Sequence, residues 1–248
     1  MADIVQIFSL AILGLSTLYC MALLRNSLRT GSMYTLRENV ERKNIVANTN
    51  EILERNRITR AKEDAGWNGT RKFLVSKKVL EAKDQCSFYF SPHDGRKLPP
   101  FEPGQFLTFR LDIPGQKKQT IRCYSLSDSP KPDYYRCTIK RVPPPRDSDH
   151  APGLSSNYFH DFVEEGKILD VRAPGGHFYL DTKRQTPVVL IGGGIGLTPV
   201  LSMVNHIIDT GSKRETWFFY GVTNGVDHAM KEHLEKIDED HDHINICI

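Results

Sequence analysis

The chain has 248 residues, of which 39% are hydrophobic and 25% charged, and its 33 Lys and Arg against 30 Asp and Glu give a formal net charge of +3. This composition is that of a globular protein and excludes a disordered or collagen-like chain. The length fits one large domain or two small ones. The small net charge, with no basic stripe interleaved with aromatic residues, argues against a nucleic-acid partner.

The five cysteines are scattered and form no C-x-x-C pair. A zinc site or an iron–sulfur cluster held within this chain is therefore not expected, and neither is a disulfide framework. His228 and His233 are five residues apart, a poor spacing for joint metal binding on a helix. With His241 and His243 they are predicted to form a solvated surface cluster, so no metal ligand is predicted.

The excess positive charge lies near the N-terminus. Residues 4–24 carry no charged side chain. As a helix rising about 1.5 Å per residue, this segment would span about 30 Å, the thickness of a hydrocarbon core. Residues 25–62 then carry nine Lys and Arg against four Glu. The positive-inside rule places the body in the cytoplasm and the N-terminus outside. The sequence thus predicts a single-pass membrane anchor over residues 1–24.

A cleaved signal peptide and a buried core helix are the alternatives for this anchor. A signal peptide has cations before its apolar run and a small-x-small cleavage site after it, and neither is present. Apolarity on every face argues against a core helix. Residues 25–66 are predicted to form a basic, polar helical stalk, in which Thr35 and Glu38 fit a capping box. A solvated spacer, partner binding and contact with anionic lipid remain open for this stalk.

Residues 67–183 change to short β-rich runs separated by Pro, Gly and Asp, a pattern typical of closely spaced strands. The predicted strands cover residues 72–79, 86–91, 106–111, 119–125 and 135–142. Strands this short and close favour an antiparallel β-barrel.

Five ordered motifs lie within this segment: PGQF at 103–106, RCYSLS at 122–127, TIKR at 138–141, GLSSNY at 153–158 and PGGHF at 174–178. In this order they resemble the flavin domain of the ferredoxin–NADP reductase superfamily, especially NADH-dependent reductases that serve oxygenases and flavohaemoglobins. The resemblance implies an FAD site. It also implies that the strand matching Ile139 and Lys140 lies along the cofactor, and that the residues matching Gly153 and Ser156 hold its phosphate.

The RCYS motif has the side chains that a flavin site needs. Arg122 offers a planar fork of donors for a pyrophosphate. Tyr124 supplies a flat face for the isoalloxazine ring, and Ser125 a hydroxyl for the flavin edge near N5, where hydride arrives. Tyr124 and Ser125 are the predicted catalytic residues, and Cys123 is predicted to bind the cofactor beside them. The alternative is that these residues are ordinary side chains of a barrel strand with no role in binding a cofactor.

The GLSSNY motif suits the phosphate end of the same cofactor. Ser155 and Ser156, with the backbone after Gly153, would cradle phosphate at the start of a helix predicted over residues 157–163.

Residues 184–248 begin a second module. The apolar run at 187–191 is typical of a buried parallel strand, and it leads into a glycine-rich loop that allows close backbone approach to a pyrophosphate. Thr198 is predicted as the N-cap of the following helix and Pro199 as its first residue, so the helix N-terminus forms an anion site. The predicted nucleotide-binding residues are Gly193, Gly194, Gly196, Thr198 and Pro199.

This loop resembles the nicotinamide-nucleotide loop of the same superfamily, with a plain turn between strand and helix as the alternative. A second parallel strand is predicted at 217–221, a helix at 227–237 and a further strand at 244–248. No Arg follows Thr223 and Asn224 to hold a 2′-phosphate, which favours NADH over NADPH. The resemblance implies further strands, so the sequence is expected to be C-terminally incomplete.

The predicted fold class is β + α/β: one transmembrane helix, an antiparallel β-barrel flavin domain over 67–183 and a partial doubly wound parallel-sheet NAD(P)-binding domain over 184–248. The expected function is a membrane-anchored flavoprotein oxidoreductase that passes electrons from NAD(P)H through FAD to an iron–sulfur or haem acceptor. That acceptor would be a separate protein or a missing C-terminal domain. The alternative is a non-catalytic, membrane-tethered flavin-binding or docking subunit. Turnover by this chain alone remains open.

Overall fold

The computed structural model describes residues 15, 19–21, 23–25, 40–46, 48, 49, 53, 67–147 and 149–248. The chain divides into two units, Met1–Lys62 and Glu63–Ile248. The described residues of the first unit are helical. Most of the predicted anchor and stalk lie outside the described residues. Among those described, no helix combines the length and the apolarity needed to cross a bilayer.

Six strands of the second unit form one antiparallel sheet. They are β1 Arg71–Ala82, β2 Gln85–Pro92, β3 Phe106–Leu111, β4 Thr120–Ser125, β5 Tyr135–Lys140 and β6 Ile168–Gly175. Their order in the sheet is β4-β3-β6-β1-β2-β5, and an antiparallel bridge between Leu126 and Cys137 joins the two end strands. The predicted antiparallel flavin barrel is therefore confirmed as an architecture, and β3 has the predicted bounds.

The core of this barrel follows from strand alternation. In β3, Leu107, Phe109 and Leu111 are fully buried, while the residues between them face outward. Helix α1, Leu154–Phe162, packs against this core through Phe159. The ring centroid of Phe159 lies 5.2 Å from that of Phe109 and 5.1 Å from that of Tyr124. This contact fixes α1 and the ring of Tyr124 relative to each other.

The nucleotide module is a parallel sheet of β7 Val188–Gly193, β8 Thr216–Gly221 and β9 Ile244–Cys247, in chain order. Helices α2, Leu197–Asp209, and α3, Lys231–Asp240, accompany it. This parallel sheet fits the predicted partial nucleotide domain, and its strands add in one direction only over the described residues.

The prediction that β7 is a buried strand is wrong for one of its faces. Val189 is 61% and Ile191 75% exposed, and the neighbouring Trp217 and Phe219 of β8 are exposed beside them. Leu190 of β7 and Phe218 of β8 are buried in the core shared with α2 and α3. The apolar run therefore reflects helices packed on one side of the sheet.

The starts of α1 and α3 differ from prediction, as does that of α2, which belongs to the nucleotide loop. Helix α1 begins at Leu154, three residues before the predicted start, with Gly153 as its N-cap. Helix α3 begins at Lys231, later than predicted, because residues Gly225–Asp227 form a 3₁₀ turn capped by the side chain of Asn224. Met230 then adopts a left-handed backbone with φ of 58°, which separates the turn from the helix.

Candidate functional site

A cleft of about 680 Å³ lies where the barrel meets the nucleotide module. It is lined by residues 122–125, 138–143 and 153–156 of the barrel, and by residues 195, 196, 198 and 199 of the nucleotide module. Twelve of the fourteen predicted cofactor-binding residues line this cleft, and only Gly193 and Gly194 do not. Motifs that are far apart in the chain therefore meet in one place.

Strand β4 forms one wall of the cleft through the RCYS motif. Arg122 is exposed, and its guanidinium donates to the Ile121 carbonyl at 3.0 Å. The Tyr124 ring is held edge-to-face by Phe109 and Phe159 at interplanar angles of 61° and 77°. Burial raises the pKa of Tyr124 to about 12, so its phenol is neutral at physiological pH. The wall thus combines an exposed cation with a fixed, uncharged aromatic ring.

The N-terminus of α1 forms a second wall. Gly153 is required there, because a Cβ would lie 2.7 Å from the Val142 Cβ and 2.8 Å from the Ser156 Oγ. The Ser156 hydroxyl is already engaged, since it donates to the Gly153 carbonyl and accepts from the Val142 amide, both at 3.2 Å. The Ser155 hydroxyl is buried and finds no hydrogen-bond partner among the residues that the structure describes.

These groups leave unused donors at a helix N-terminus. The first backbone amides of a helix have no partner within the helix, and Gly153 supplies no side-chain cap. With the Ser155 hydroxyl beside them, they form a site that favours an anion such as phosphate.

Sequence reasoning missed Arg141 as a residue of the cleft. Its Nη1 donates to the Asn157 Oδ1 at 3.0 Å and its Nη2 to the Asp161 Oδ1 at 2.6 Å, and both acceptors lie on α1. This pairing raises the pKa of Arg141 and lowers that of Asp161. Arg141 thus ties the end of β5 to α1. Its position in the TIKR motif was the available signal, but nothing in the spacing identified its partners.

Thr138 is the other missed lining residue whose side chain makes hydrogen bonds. It is buried, and its hydroxyl is 2.8 Å from both the Ser87 and Ser127 hydroxyls. The remaining lining residues that were not predicted are Val142, Pro143, Leu154 and Ile195.

The nucleotide loop is built differently from the prediction. Residues Gly194–Gly196 form a 3₁₀ turn, and α2 begins at Leu197 with Gly196 as its N-cap. Thr198 is therefore the second helical residue, and its hydroxyl donates to the Ile195 carbonyl at 3.1 Å. Pro199 is the third helical residue, which is tolerated because amides of the first turn need no helical partner.

Glycine is needed in this loop for two reasons. Gly194 has φ of 51°, a left-handed conformation that side chains with a Cβ rarely adopt. At the end of β7, a Cβ on Gly192 would lie 3.3 Å from the Gly196 carbonyl oxygen, so strand and helix start approach closely. The loop therefore brings the amides of α2 to the cleft without a capping side chain.

The residues present fit a flavin dinucleotide. The cleft falls within the size range of about 300–1,000 Å³ typical of cofactor sites. It offers an exposed arginine, a fixed aromatic ring and a helix N-terminus without a side-chain cap, which suit a pyrophosphate and a planar ring system. The second helix N-terminus, on α2, suits another phosphate.

Comparison with protein families agrees with this geometry. Residues 72–179 match the oxidoreductase FAD-binding domain, and residues 190–247 match the oxidoreductase NAD-binding domain. The chain carries the FAD- and NAD-binding domains of the ferredoxin–NADP reductase-like oxidoreductases. The predicted resemblance to this superfamily, with one FAD-binding and one NAD-binding domain, is thereby confirmed.

Individual relatives share these oxidoreductase domains. The chain is 40% identical over 183 residues to a flavohemoprotein of Halalkalibacterium halodurans, a match that covers 74% of this chain and 44% of that protein. It is 27% identical, with a TM-score of 0.65, to the FAD/NAD-binding domain of nitric oxide dioxygenase from Vibrio cholerae, covering 72% of this chain and 73% of that one.

Phthalate dioxygenase reductase, described as carrying electrons from pyridine nucleotides to a [2Fe-2S] centre, is 28% identical with a TM-score of 0.58. That match covers 72% of this chain and 51% of the reductase. The chain spans less than half the length of the curated flavohemoproteins that it matches.

Proposed function

We propose that the chain takes electrons from NADH and passes them through FAD to a haem or iron–sulfur acceptor. One observation carries this proposal: the RCYS wall, the N-terminus of α1 and the loop before α2 line a single cleft. Hydride transfer needs reacting atoms within about 3–3.5 Å of each other, so two cofactor sites must share one cleft.

When bound, FAD supplies the redox chemistry, since a flavin accepts a hydride and releases electrons one at a time. The chain contributes binding and orientation. Arg122 and the N-terminus of α1, with the Ser155 hydroxyl, would hold the pyrophosphate charge. Tyr124 would present a neutral, immobile ring, and Ser125 a hydroxyl in the same wall. No general base is assigned, because hydride transfer to a flavin requires none.

NADH is the proposed electron donor because the end of β8 offers no cation for a 2′-phosphate. Residues 222–230 contain neither Lys nor Arg. The Asn224 side chain is committed to accepting from the Val226 and Asp227 amides at 3.0 and 3.1 Å. A 2′-phosphate would therefore lose hydration without gaining a charge partner.

The acceptor class is proposed from the relatives. A flavohemoprotein name implies a haem group, and phthalate dioxygenase reductase delivers electrons to a [2Fe-2S] centre. For the acceptor of this chain, a one-electron centre of either kind fits a flavin that releases electrons singly.

We propose that residues 4–24 anchor the protein in a membrane with the reductase domains in the cytoplasm. The support is the charge-free apolar run and the basic residues that follow it. Expression of the full chain, carbonate extraction of membranes and protease protection of the two termini test this arrangement. A chain released by carbonate would contradict it.

Detergent-purified full-length protein tests the redox function. We expect an oxidised flavin spectrum that NADH bleaches under anaerobic conditions, with NADPH much slower. Flavin that is present but not bleached by NADH would contradict the enzyme proposal, and protein without flavin would contradict flavin binding altogether.

A non-catalytic flavin-binding or docking subunit is the second candidate. The observation that favours it is the exposed apolar face of β7 and β8. Parallel sheets usually have both faces covered, so this face would suit the docking of a partner protein. Bound FAD that does not react with NADH is the result expected of such a subunit.

A further inference from the structure

Asp128 lies between the barrel and the nucleotide module, three residues beyond Ser125 and outside the lining of the cleft. It is only 7% exposed. Its Oδ1 accepts from the Asn205 Nδ2 at 2.8 Å and from the Ser129 amide at 2.9 Å. Its backbone carbonyl accepts from the Ser202 Oγ at 2.7 Å. One buried residue of the barrel thus holds two residues of α2.

These two residues hold α2 close to the cleft. Ser202 and Asn205 are three residues apart, so they lie on one face of the helix, and both are buried. Ser202 is one helical turn beyond Thr198, which lines the cleft. The C-terminal end of α2 is tied separately, because Asp209 accepts from Ser129 and, at 2.5 Å, from the Lys131 Nζ. Asp128 therefore holds the middle of the helix, at Ser202 and Asn205.

Residues of the barrel bind the other carboxylate oxygen of Asp128. Its Oδ2 accepts from the Tyr134 hydroxyl at 2.9 Å and lies 3.7 Å from the Arg136 Nη1. Arg136 also donates from Nε to the Ser127 Oγ at 3.2 Å and from Nη2 to the Ser127 carbonyl at 2.5 Å. Ser127 in turn bonds to Thr138, which lines the cleft. A continuous buried network thus joins the cleft wall to α2.

We propose that Asp128 is a positioning residue that sets the geometry between β4 and the nucleotide loop 193–199 for hydride transfer. This proposal rests on the function proposed above. A carboxylate suits the task because both its oxygens accept, whereas an asparagine would turn an amide donor toward Tyr134 and Arg136 or toward Asn205. A shift of about 1 Å in a reacting group can slow a reaction by about 10²-fold.

The test compares Asp128→Asn, Asn205→Leu and the double variant with the wild type. Asp133→Asn, an exposed residue of the same loop, is the matched control. Three quantities are measured on full-length protein: FAD affinity, the limiting rate of anaerobic flavin reduction against NADH concentration, and hydrogen exchange of the amides of 197–209 without NADH.

For Asp128→Asn we expect FAD affinity within about threefold of wild type, a limiting reduction rate about 10- to 100-fold lower, and a half-saturating NADH concentration changed much less. Exchange of the α2 amides around Asn205 should quicken. Because Asp128 acts through Asn205, the double variant should be no slower than the slower single variant. Asp133→Asn should match wild type.

Wild-type reduction rates in Asp128→Asn, or fully additive effects in the double variant, would overturn the proposal. A variant that loses FAD but reduces its remaining flavin at the normal rate would show that Asp128 is only structural. If NADH does not bleach wild-type flavin, the proposed function fails. The hydrogen-exchange measurement would still test the role of Asp128 in that case. Unchanged exchange of the α2 amides in Asp128→Asn would show that Asp128 does not hold the helix.

Discussion

The Ser155 hydroxyl gives a test in which two measurements should move in opposite directions. It is buried and lacks a hydrogen-bond partner among the described residues, and a buried unsatisfied polar group costs about 1–3 kcal/mol. Ser155→Ala removes that cost but leaves a small void. We therefore expect the FAD-free protein to be stabilised by up to about 1 kcal/mol.

FAD binding should respond in the other direction. If the Ser155 hydroxyl donates to a flavin phosphate, Ser155→Ala loses a hydrogen bond to a charged group, worth about 1.5–3 kcal/mol. Since about 1.4 kcal/mol is a factor of ten in affinity, the Kd for FAD should rise about 10- to 150-fold. Urea unfolding of the FAD-free protein and quenching of flavin fluorescence measure the two effects.

Ser156→Ala is the matched control, one residue further along α1. Its hydroxyl bonds to both Gly153 and Val142, so its loss should destabilise the FAD-free protein by about 1–2 kcal/mol. An unchanged Kd for FAD in Ser155→Ala, or a destabilised FAD-free protein, would refute the assignment of Ser155 as a phosphate donor.

Three further outcomes are expected. Arg122→Ala should raise the Kd for FAD about tenfold or more, because a charge-assisted contact to pyrophosphate is lost, and unchanged flavin content would contradict this. Cys123 is exposed in the cleft, so FAD should protect it from alkylation in peptide mapping, and equal labelling with and without FAD would count against the site. Burial raises the pKa of Tyr124 to about 12, so its contribution to stability is complete below about pH 10 and falls as pH rises toward 12. Between pH 9 and pH 11, the free energy of unfolding of Tyr124→Phe should therefore fall by about 1 kcal/mol less than that of the wild type. Equal decreases in the two proteins would contradict the raised pKa of Tyr124.

The sequence predicted those parts of the fold that depend on local pattern. The bounds of β3 were right because Leu107, Phe109 and Leu111 alternate with outward residues and face a barrel core. The barrel itself followed from short runs of this kind. The sequence could not predict that one face of β7 is buried and the other exposed, because a continuous apolar run does not reveal whether helices cover one or both faces of a sheet.

Contacts between distant residues were beyond sequence reasoning. Arg141 pairs with Asn157 and Asp161, and Asp128 with Asn205, which is 77 residues away. No periodicity or spacing rule encodes such pairs, since they arise only when β5 meets α1 and when the barrel meets α2. The motifs identified the residues that face the cleft, but the residues that hold the two walls in place became visible only in the fold.

The errors at the starts of α1 and α2 have one feature in common. Helix α1 was predicted to begin at Asn157, and α2 at Pro199 with Thr198 as its N-cap. Both helices instead have glycine N-caps, Gly153 and Gly196, without a side-chain cap bond. A capping side chain would consume the amides that face the cleft, whereas glycine leaves them free for a phosphate. Both of these helix ends line the cleft, and functional sites are where local sequence rules are most often broken.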